Sequence, residues 1–480
     1  MTQGRVAYFI FFPTHLLQYP VVHMTKAFLK RVAEAPAIAI EDTVDVIEDV
    51  ERVMISKSPF RKAEEYWNTL GPGLTTGASD DDPSGIATYS QTGAQFGFKF
   101  LWLAPFTFPL MAVIQEMCAR IGLVTGEGLA ANIRRHFPKA ALYTCAFVLL
   151  IANAFNIGAD LGAMSEAARL VVPEIPSWAL LVIFTVVMLL LQIYTTYARY
   201  AKFLKYLALV LLAYVVSAFM VHIDWGMALR ATVIPTLTSS KEEVILVCAI
   251  LGTTISPYLF FWQTSQEVEE RILQGLRTLR LRKSHMQDSD IKKMRIDVWS
   301  GMFFSNIVMF FIILTCAGAL NVNGITNIGT AAHAALALKP IAGPFASLLF
   351  AIGILGVGFL AIPVLAGSAS YALSESFNWK FGLYRKIKEA RAFYGIIIIA
   401  MIIGFILNFV GLDPIRALLY AAVLNGIVAP IILFFIVKLS SDHGVMGHRK
   451  NHPFMTVLGW LIVAMMTIVG VATIGAIAMP

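Results

Sequence analysis

Eleven apolar segments of membrane length follow one another along this chain, and they leave few folds open to it. A lipid bilayer offers backbone groups no water, so each segment must close its own hydrogen bonds as a helix. Hydrophobic residues make up 58% of the chain and charged residues only 14%, a composition that excludes a soluble enzyme of this length. We therefore predict an all-α integral membrane protein. The predicted spans are 68–94, 100–122, 140–171, 176–197, 202–222, 243–267, 298–320, 344–373, 393–411, 413–438 and 454–478.

The distribution of basic residues predicts how these spans are oriented. With the N-terminus in the cytoplasm, 23 basic residues fall in cytoplasmic loops and five in the opposite loops. This asymmetry satisfies the positive-inside rule and predicts a multi-pass protein of the cell (inner) membrane. The formal charge of +7 then reflects topology, so we expect the lipid bilayer and no nucleic acid as partner.

Residues 1–67 form a predicted cytoplasmic N-terminal extension, ahead of a transporter domain at 68–480. The apolar run 6–22 is either an interfacial segment or the sign of a start codon placed too early, with Met24 as the true start. The acidic, amphipathic stretch 33–57 is typical of a solvated helix. The alternative is a sensor of divalent cations.

Three consecutive aspartates interrupt the first span. Asp80, Asp81 and Asp82 precede Pro83, and Gly85 follows. An aspartate at the bilayer centre costs roughly 2.5–3.5 kcal/mol on insertion scales, so such acids usually face a cavity, an ion or a partner. The proline removes an amide donor and, with the glycine, should split the helix into two halves. Opened carbonyls and carboxylates together are the ligands that hard cations prefer.

A second proline, Pro257, interrupts the sixth span directly after Ser256. Spans one and six are five apart, so two five-helix units would cross the membrane in opposite directions. We assign 68–222 to the first repeat, 243–438 to the inverted second repeat and 454–478 to an extra helix. Paired breaks in inverted halves indicate a transporter's binding site.

Asp82 is the strongest candidate ligand, because an acid directly before a helix-breaking proline can offer its side chain and loosened carbonyls to one ion. The alternative is that it only caps the second half-helix. The side chains of Asp80 and Asp81 point in directions different from that of Asp82, and one of them is expected to line the access path. Thr253 can offer a carbonyl and Ser256 a hydroxyl, although Ser256 could equally bond to its own backbone.

Polar residues elsewhere in the spans are candidates for the surroundings of the site. Asp160 and Glu166 in the third span are candidates for a supporting shell or a proton path, and pairing with a neighbouring helix is the alternative. Asn306 and Asn425 are candidate pocket walls, or residues that hold helices together. Neither break contains histidine or cysteine, so the site is composed of oxygen, which favours hard metals.

These motifs resemble those of the NRAMP divalent-metal transporters (solute carrier family 11). Residues 82–85, Asp-Pro-Ser-Gly, stand where that family has Asp-Pro-Gly-Asn, and residues 256–258, Ser-Pro-Tyr, stand where it has Met-Pro-His. Residues 118–126 and 158–161 resemble its second-span ending and a third-span motif. The resemblance implies a LeuT-like fold of 5+5 inverted repeats with broken helices 1 and 6. It also implies a monomeric transporter rather than an enzyme, with no cofactor apart from the transported ion.

The departures from the family resemble its branch of NRAMP-related magnesium transporters. Gly85 replaces the family's asparagine ligand, Ser256 its thioether ligand and Tyr258 a histidine linked to protons, while two acids of its proton path fall on Asn153 and Ala163. The metal-binding set that this implies is Asp82, Gly85, Thr253 and Ser256, with Tyr258 near the pathway.

We therefore expect import of Mg²⁺, and also Mn²⁺, in partly hydrated form, driven by membrane potential. One alternative is a proton-coupled Mn²⁺ or Fe²⁺ importer. The other is a Na⁺-coupled carrier of organic solutes with the same fold.

Overall fold

The computed structural model describes residues 71–195, 211–238 and 240–478, and within them the chain is helical without a β-strand. The predicted N-terminal extension, including Met24 and the acidic stretch, lies outside these residues, as does most of the first half of the fifth predicted span. The α-helices, numbered in chain order, are α1 (Pro72–Asp80), α2 (Pro83–Phe96), α3 (Leu103–Thr125), α4 (Leu129–His136), α5 (Lys139–Arg169), α6 (Ser177–Tyr194), α7 (Leu212–Met220), α8 (Trp225–Val233), α9 (Lys241–Thr254), α10 (Pro257–Leu273), α11 (Leu279–Ser284), α12 (Asp288–Ala319), α13 (Ala331–Ala335), α14 (Lys339–Ala342), α15 (Ala346–Ser376), α16 (Arg391–Leu407), α17 (Pro414–Ser441), α18 (His443–Met446) and α19 (Pro453–Ala478).

The helices follow the predicted order of spans. In the described part of the chain, eight helical segments are long and apolar enough to cross a membrane, one of them being the broken span Lys241–Leu273 that contains α9 and α10. Helix α16 is a shorter apolar helix. The first predicted span is divided between α1 and α2, and α7 lies in the fifth. The helix of the seventh predicted span, α12, begins ten residues before its predicted start, because Gln287 and Asp290 form a capping box in the polar segment ahead of the apolar run. The all-helical membrane architecture is therefore confirmed.

Both predicted breaks are present. The first half-helix, α1, ends at Asp80, and Asp81 leaves the helical conformation with φ −83° and ψ 47°. Asp82 is then the N-cap of α2, with Pro83 in its first turn. The second break has the same design, because Ser256 precedes α10 and Pro257 occupies its first turn. A proline at this position loses no hydrogen bond, since the first amides of a helix have no partner within it.

Glycines place the half-helices directly against neighbouring spans. A Cβ atom at Gly77 of α1 would lie 2.2 Å from the carbonyl oxygen of Gly301 in α12. A Cβ atom at Gly252 of α9 would lie 2.1 Å from the carbonyl oxygen of Ala422 in α17. Contacts this short require backbone against backbone, which small residues allow inside membranes. Each half-helix that leads into a break is thus seated on one long helix.

Four connecting segments meet at one end of the bundle, which we call the basic end: 126–138, 274–287, 377–390 and 442–452. Arg282 donates to the carbonyl of Gly126 at 2.9 Å. Arg449 binds Asp288 at 2.9 Å. These contacts join segments that are far apart in the sequence, so the end of the bundle that is rich in lysine and arginine is itself an ordered surface.

Candidate ion-binding site

The three aspartates of the first break are buried. Asp80 is 0% exposed, Asp81 3% and Asp82 1%. Their side chains nevertheless point to different neighbours, as expected for successive residues at a helix end. The site must therefore be described one carboxylate at a time.

Asp82 is held by three hydrogen bonds. Its Oδ1 accepts from the amide of Gly85 at 2.7 Å and from the hydroxyl of Ser84 at 2.6 Å. Its Oδ2 accepts from the side-chain amide of Asn156 in α5 at 2.9 Å. An ionised carboxylate has about four positions for a donor or an ion, so one position on Oδ2 remains. Asp82 does cap α2, and this geometry still leaves it able to bind a cation.

Asp80 and Asp81 face α12 instead. The Ser305 hydroxyl lies 2.7 Å from Oδ2 of Asp80 and 3.4 Å from Oδ1 of Asp81. Oδ1 of Asp80 is buried without a hydrogen-bond partner. The sequence analysis missed Ser305, because one serine in a membrane helix has no distinguishing local signal. Only the seating of α1 on α12 places it here.

At the second break, the oxygens near an ion would be backbone carbonyls more than side-chain groups. The Ser256 hydroxyl lies 2.8 Å from the carbonyl oxygen of Gly252 and 2.5 Å from that of Thr253, so it bonds to its own backbone, as considered above. The Thr253 hydroxyl lies 3.0 Å from the Tyr89 hydroxyl of α2. Tyr258 donates to the carbonyl of Ser79 at 2.9 Å. The two breaks are therefore joined by direct hydrogen bonds.

Gly85 lies beside the first break. A Cβ atom there would be 3.3 Å from the carbonyl oxygen of Asp80 and 3.5 Å from Oδ1 of Asp82. A side chain at this position would thus touch two oxygens of the break. With glycine, no side-chain atom occupies this position beside Asp82, and the Tyr89 ring would lie 3.4 Å from a Cβ atom there.

Helix α5 adds a further acid to the same region. Asp160 is 0% exposed, and neither of its carboxylate oxygens has a hydrogen-bond partner. It follows Asn156 by one helical turn, so the two side chains share a face, and its carboxylate interacts electrostatically with that of Asp82. Sequence reasoning did not select Asn156, the partner of Asp82, as a site residue.

The remaining candidates lie at varying distances from the breaks. Glu166 lies near the end of α5, where it forms an ion pair with Arg169 and accepts from the Ser177 hydroxyl at the start of α6. Asn306 joins α12 to α3 by accepting from Thr107 at 3.1 Å. Asn425 is 1% exposed, and neither amide atom of its side chain has a partner. It adjoins the part of α17 that packs on α9.

The charges of these acids are not balanced by neighbouring bases. No described lysine or arginine forms an ion pair with Asp80, Asp81, Asp82 or Asp160. Nor do three or more histidine, cysteine, aspartate or glutamate side chains in the described ranges converge as a ready-made metal cage. Uncompensated buried charge is costly. The region therefore suits a cation that brings part of its own coordination shell.

Two cavities approach the breaks from opposite ends of the bundle. The cavity at the basic end measures about 390 Å³ and is lined by both acids and bases, among them Glu267, Glu270 and Arg271. The cavity at the other end measures about 400 Å³ and is lined by Gln91, Gln95 and other residues. The buried aspartates lie between the two, closed to both ends in this conformation.

The family described as natural resistance-associated macrophage protein-like, Nramp, matches residues 73–476. This chain belongs to the Nramp family. The resemblance inferred from its motifs is thereby confirmed. The chain is 26% identical over 400 residues to the divalent metal cation transporter MntH of Klebsiella pneumoniae, in an alignment that covers 82% of this chain and 91% of the relative.

Solved structures agree on the fold. A manganese transporter from Eremococcus coleocola, crystallised as a mutant, superposes with a TM-score of 0.70 at 17% identity and covers 88% of this chain and 89% of its own. Mhp1, a transporter of the nucleobase-cation-symport-1 family in a closed conformation, superposes with a TM-score of 0.51 at 14% identity, with 85% and 92% covered. The Nramp chain described here thus has the LeuT-like architecture with broken helices 1 and 6.

Proposed function

We propose that this protein carries divalent metal cations across the membrane and that Asp82 is the central charged ligand. The observation that carries the proposal is a set of buried acids without basic partners in a transporter fold: three at the first break, and Asp160 on α5. A bound cation would offset the free-energy cost of burying these negative charges in the membrane. The relatives named as divalent metal cation or manganese transporters support the same class of substrate.

The ligands favour a hard ion, and we propose Mg²⁺ as the preferred substrate, with Mn²⁺ also carried. Gly85 and Ser256 supply no sulfur or nitrogen, and soft ligands are what select transition metals. Mg²⁺ gives up water reluctantly and usually keeps several waters while using one or two carboxylates. A site with one available position on Asp82, and with no side chain at Gly85, suits such a partly hydrated ion.

We further propose that transport follows the membrane potential without protons. Tyr258 is hydrogen-bonded to Ser79, and Asn153 donates to the carbonyl of Leu365 and to Ser368. Ala163 lines a small apolar cavity of about 10 Å³. None of the three positions offers a carboxylate or an imidazole for a proton relay. A potential of 100 mV acting on two charges supplies about 4.6 kcal/mol, enough for a gradient on the order of a thousandfold.

A second candidate function is proton-coupled import of Mn²⁺ or Fe²⁺, and Asp160 is the observation that favours it. A buried carboxylate with two unpartnered oxygens could hold a proton close to Asp82. A Na⁺-coupled carrier of organic solutes is less well supported, because a substrate carboxylate would sit poorly beside three aspartates. In either case we propose a monomer in the cell membrane with a cytoplasmic N-terminus, no enzymatic activity, no nucleic-acid partner and no resident cofactor.

Uptake by the purified protein in liposomes tests the proposal. Mg²⁺ and Mn²⁺ influx would be measured at a fixed potential while the internal pH is recorded. Influx without acidification is expected, and metal-dependent acidification would favour the second candidate. We expect Asp82→Ala to lower uptake at least tenfold.

Asp413→Ala is the matched control. Asp413 also precedes a proline and caps its helix, accepting from the Arg416 amide at 3.0 Å, but it lies on an exposed turn. Each variant loses a cap worth about 1 kcal/mol. Asp82→Ala also leaves Ser84 and Asn156 without their acceptor, so thermal unfolding must show that it is folded before its uptake is compared. Equal uptake by the two variants would contradict the role given to Asp82.

A further inference from the structure

We propose that Asp80, Asp81 and Ser305 form a second binding site for a divalent cation, in addition to the site at Asp82. The inference rests on the proposed function, since it concerns an ion on its way between Asp82 and the basic end. The observation that starts it is the Ser305 hydroxyl, which lies within hydrogen-bonding distance of both carboxylates. Two carboxylate oxygens around one hydroxyl are arranged as a hard cation would use them.

The site has ligand positions to spare. A hydroxyl has a single proton to donate, so Ser305 cannot satisfy both acids at once. Oδ1 of Asp80 is fully buried and has no partner at all. Asp80 is also the last residue of α1, and the C-terminal end of a helix carries partial negative charge that attracts cations. Each of these features adds negative potential at the same place.

This second site is separate from the first. The carboxylate of Asp82 turns towards the start of α2 and towards Asn156 of α5. The carboxylates of Asp80 and Asp81 turn towards Ser305 of α12. Removing the Ser305 hydroxyl therefore leaves every contact of Asp82 in place, so the two sites can be tested independently.

A chain of polar side chains leads from the second site to the cavity at the basic end. Thr76 lies one helical turn before Asp80 and donates to Oε1 of Gln263 at 2.5 Å. The amide of Gln263 donates to Glu267 at 2.9 Å, and Glu267 lines the cavity. The step from Asp80 to Thr76 spans four residues of α1, about 6 Å. An ion at Asp80 thus has polar groups to follow to the cavity.

Two neighbouring sites would make release easier. The carboxylates of Asp80 and Asp82 interact electrostatically, so ions bound to them would repel each other. Conduction through membranes relies on sites that are strong enough to load and, through such repulsion between neighbours, weak enough to unload. The second site would therefore serve as the step between the Asp82 site and the basic end.

The stoichiometry of binding tests this inference. Mn²⁺ would be titrated into the full chain in lipid nanodiscs, with free Mn²⁺ measured by electron paramagnetic resonance. The wild-type protein is expected to bind two ions per chain, and Asp82→Ala is expected to bind one. The double variant Asp80→Asn with Asp81→Asn should also bind one, held at Asp82. Because that remaining ion reports a folded Asp82 site, loss of the other ion cannot be attributed to misfolding.

A milder variant and its control complete the experiment. Ser305→Ala should weaken the second ion about tenfold and leave the first unchanged. Ser374→Ala, which removes a fully buried hydroxyl without a partner in α15, should change neither. A single wild-type ion that Asp82→Ala abolishes would overturn this inference and leave the proposed function standing. Absence of both divalent-ion binding and uptake would overturn the proposed function itself.

Discussion

Gly77→Ala should separate the half-helix α1 from its support on α12. The new Cβ atom would lie 2.2 Å from the carbonyl oxygen of Gly301, whereas ordinary contact begins at 3.4 Å. The backbones must therefore move apart by about 1.2 Å, the difference between these two distances. A movement of that size along the bond from Ser305 to Asp80, now 2.7 Å long, would break it.

The expected cost is larger for transport than for folding. Overpacking of this kind typically destabilises a protein by about 1–3 kcal/mol, which a large membrane bundle tolerates. The displaced aspartates, however, would no longer face their partners, so we expect the maximal rate of Mg²⁺ uptake in liposomes to fall at least tenfold. Thermal unfolding in detergent would show that the variant is still folded.

Gly395→Ala provides the control for Gly77→Ala. It makes the same substitution inside α16, where a Cβ atom would meet nothing within 4 Å. Alanine in an open helical position is usually stabilising by roughly 0.5–1 kcal/mol, and uptake should stay at the wild-type rate. A Gly77→Ala protein that transports as fast as Gly395→Ala would refute the argument that α1 must rest on α12 by backbone contact.

Two further predictions concern ion selectivity and the capping of α1 at its first residues. Ser256→Met combined with Gly85→Asn should strengthen Cd²⁺ or Mn²⁺ binding and weaken Mg²⁺ transport more than either change alone. The reason is that only the two changes together add a soft ligand and narrow the site. Calorimetric titration with Cd²⁺ and Mg²⁺ measures the ion preference, and an unchanged preference would show that selectivity is set elsewhere. Asp297→Asn should loosen the start of α1, since this carboxylate accepts from the amides of Gly71, Gly73 and Leu74 at 2.6–3.0 Å. Faster hydrogen exchange over 71–80 is expected, and unchanged protection there would show that the cap is dispensable.

The fold followed from the sequence because its signals are local. A run of apolar residues reports a span without knowledge of its neighbours, and Pro83 and Pro257 mark the breaks wherever the helices pack. The start of α12 was misplaced because Gln287 and Asp290 extend the helix into polar sequence. Hydropathy does not register a cap of that kind.

The site was only partly predictable because its partners come from distant helices. Asp82 could be chosen from its own neighbours, and both of its considered roles are compatible with the geometry. Ser305 and Asn156 could not be chosen, since their importance depends on which face of α12 or α5 turns inward. For Ser256 the local alternative, bonding to its own backbone, is the one present. The ion-binding roles of Asp82, Asp160 and Asn425 all stay predictions.

The three donors around Asp82 bear on the half of the transport cycle in which no metal is bound. A carrier that moves an ion without an exchange partner must return unloaded, and an anionic carboxylate in the middle of a membrane resists that step. Gly85, Ser84 and Asn156 together solvate the charge in place of the metal. Under the proposed mechanism, the turnover rate would therefore depend on these donors as much as on the ion.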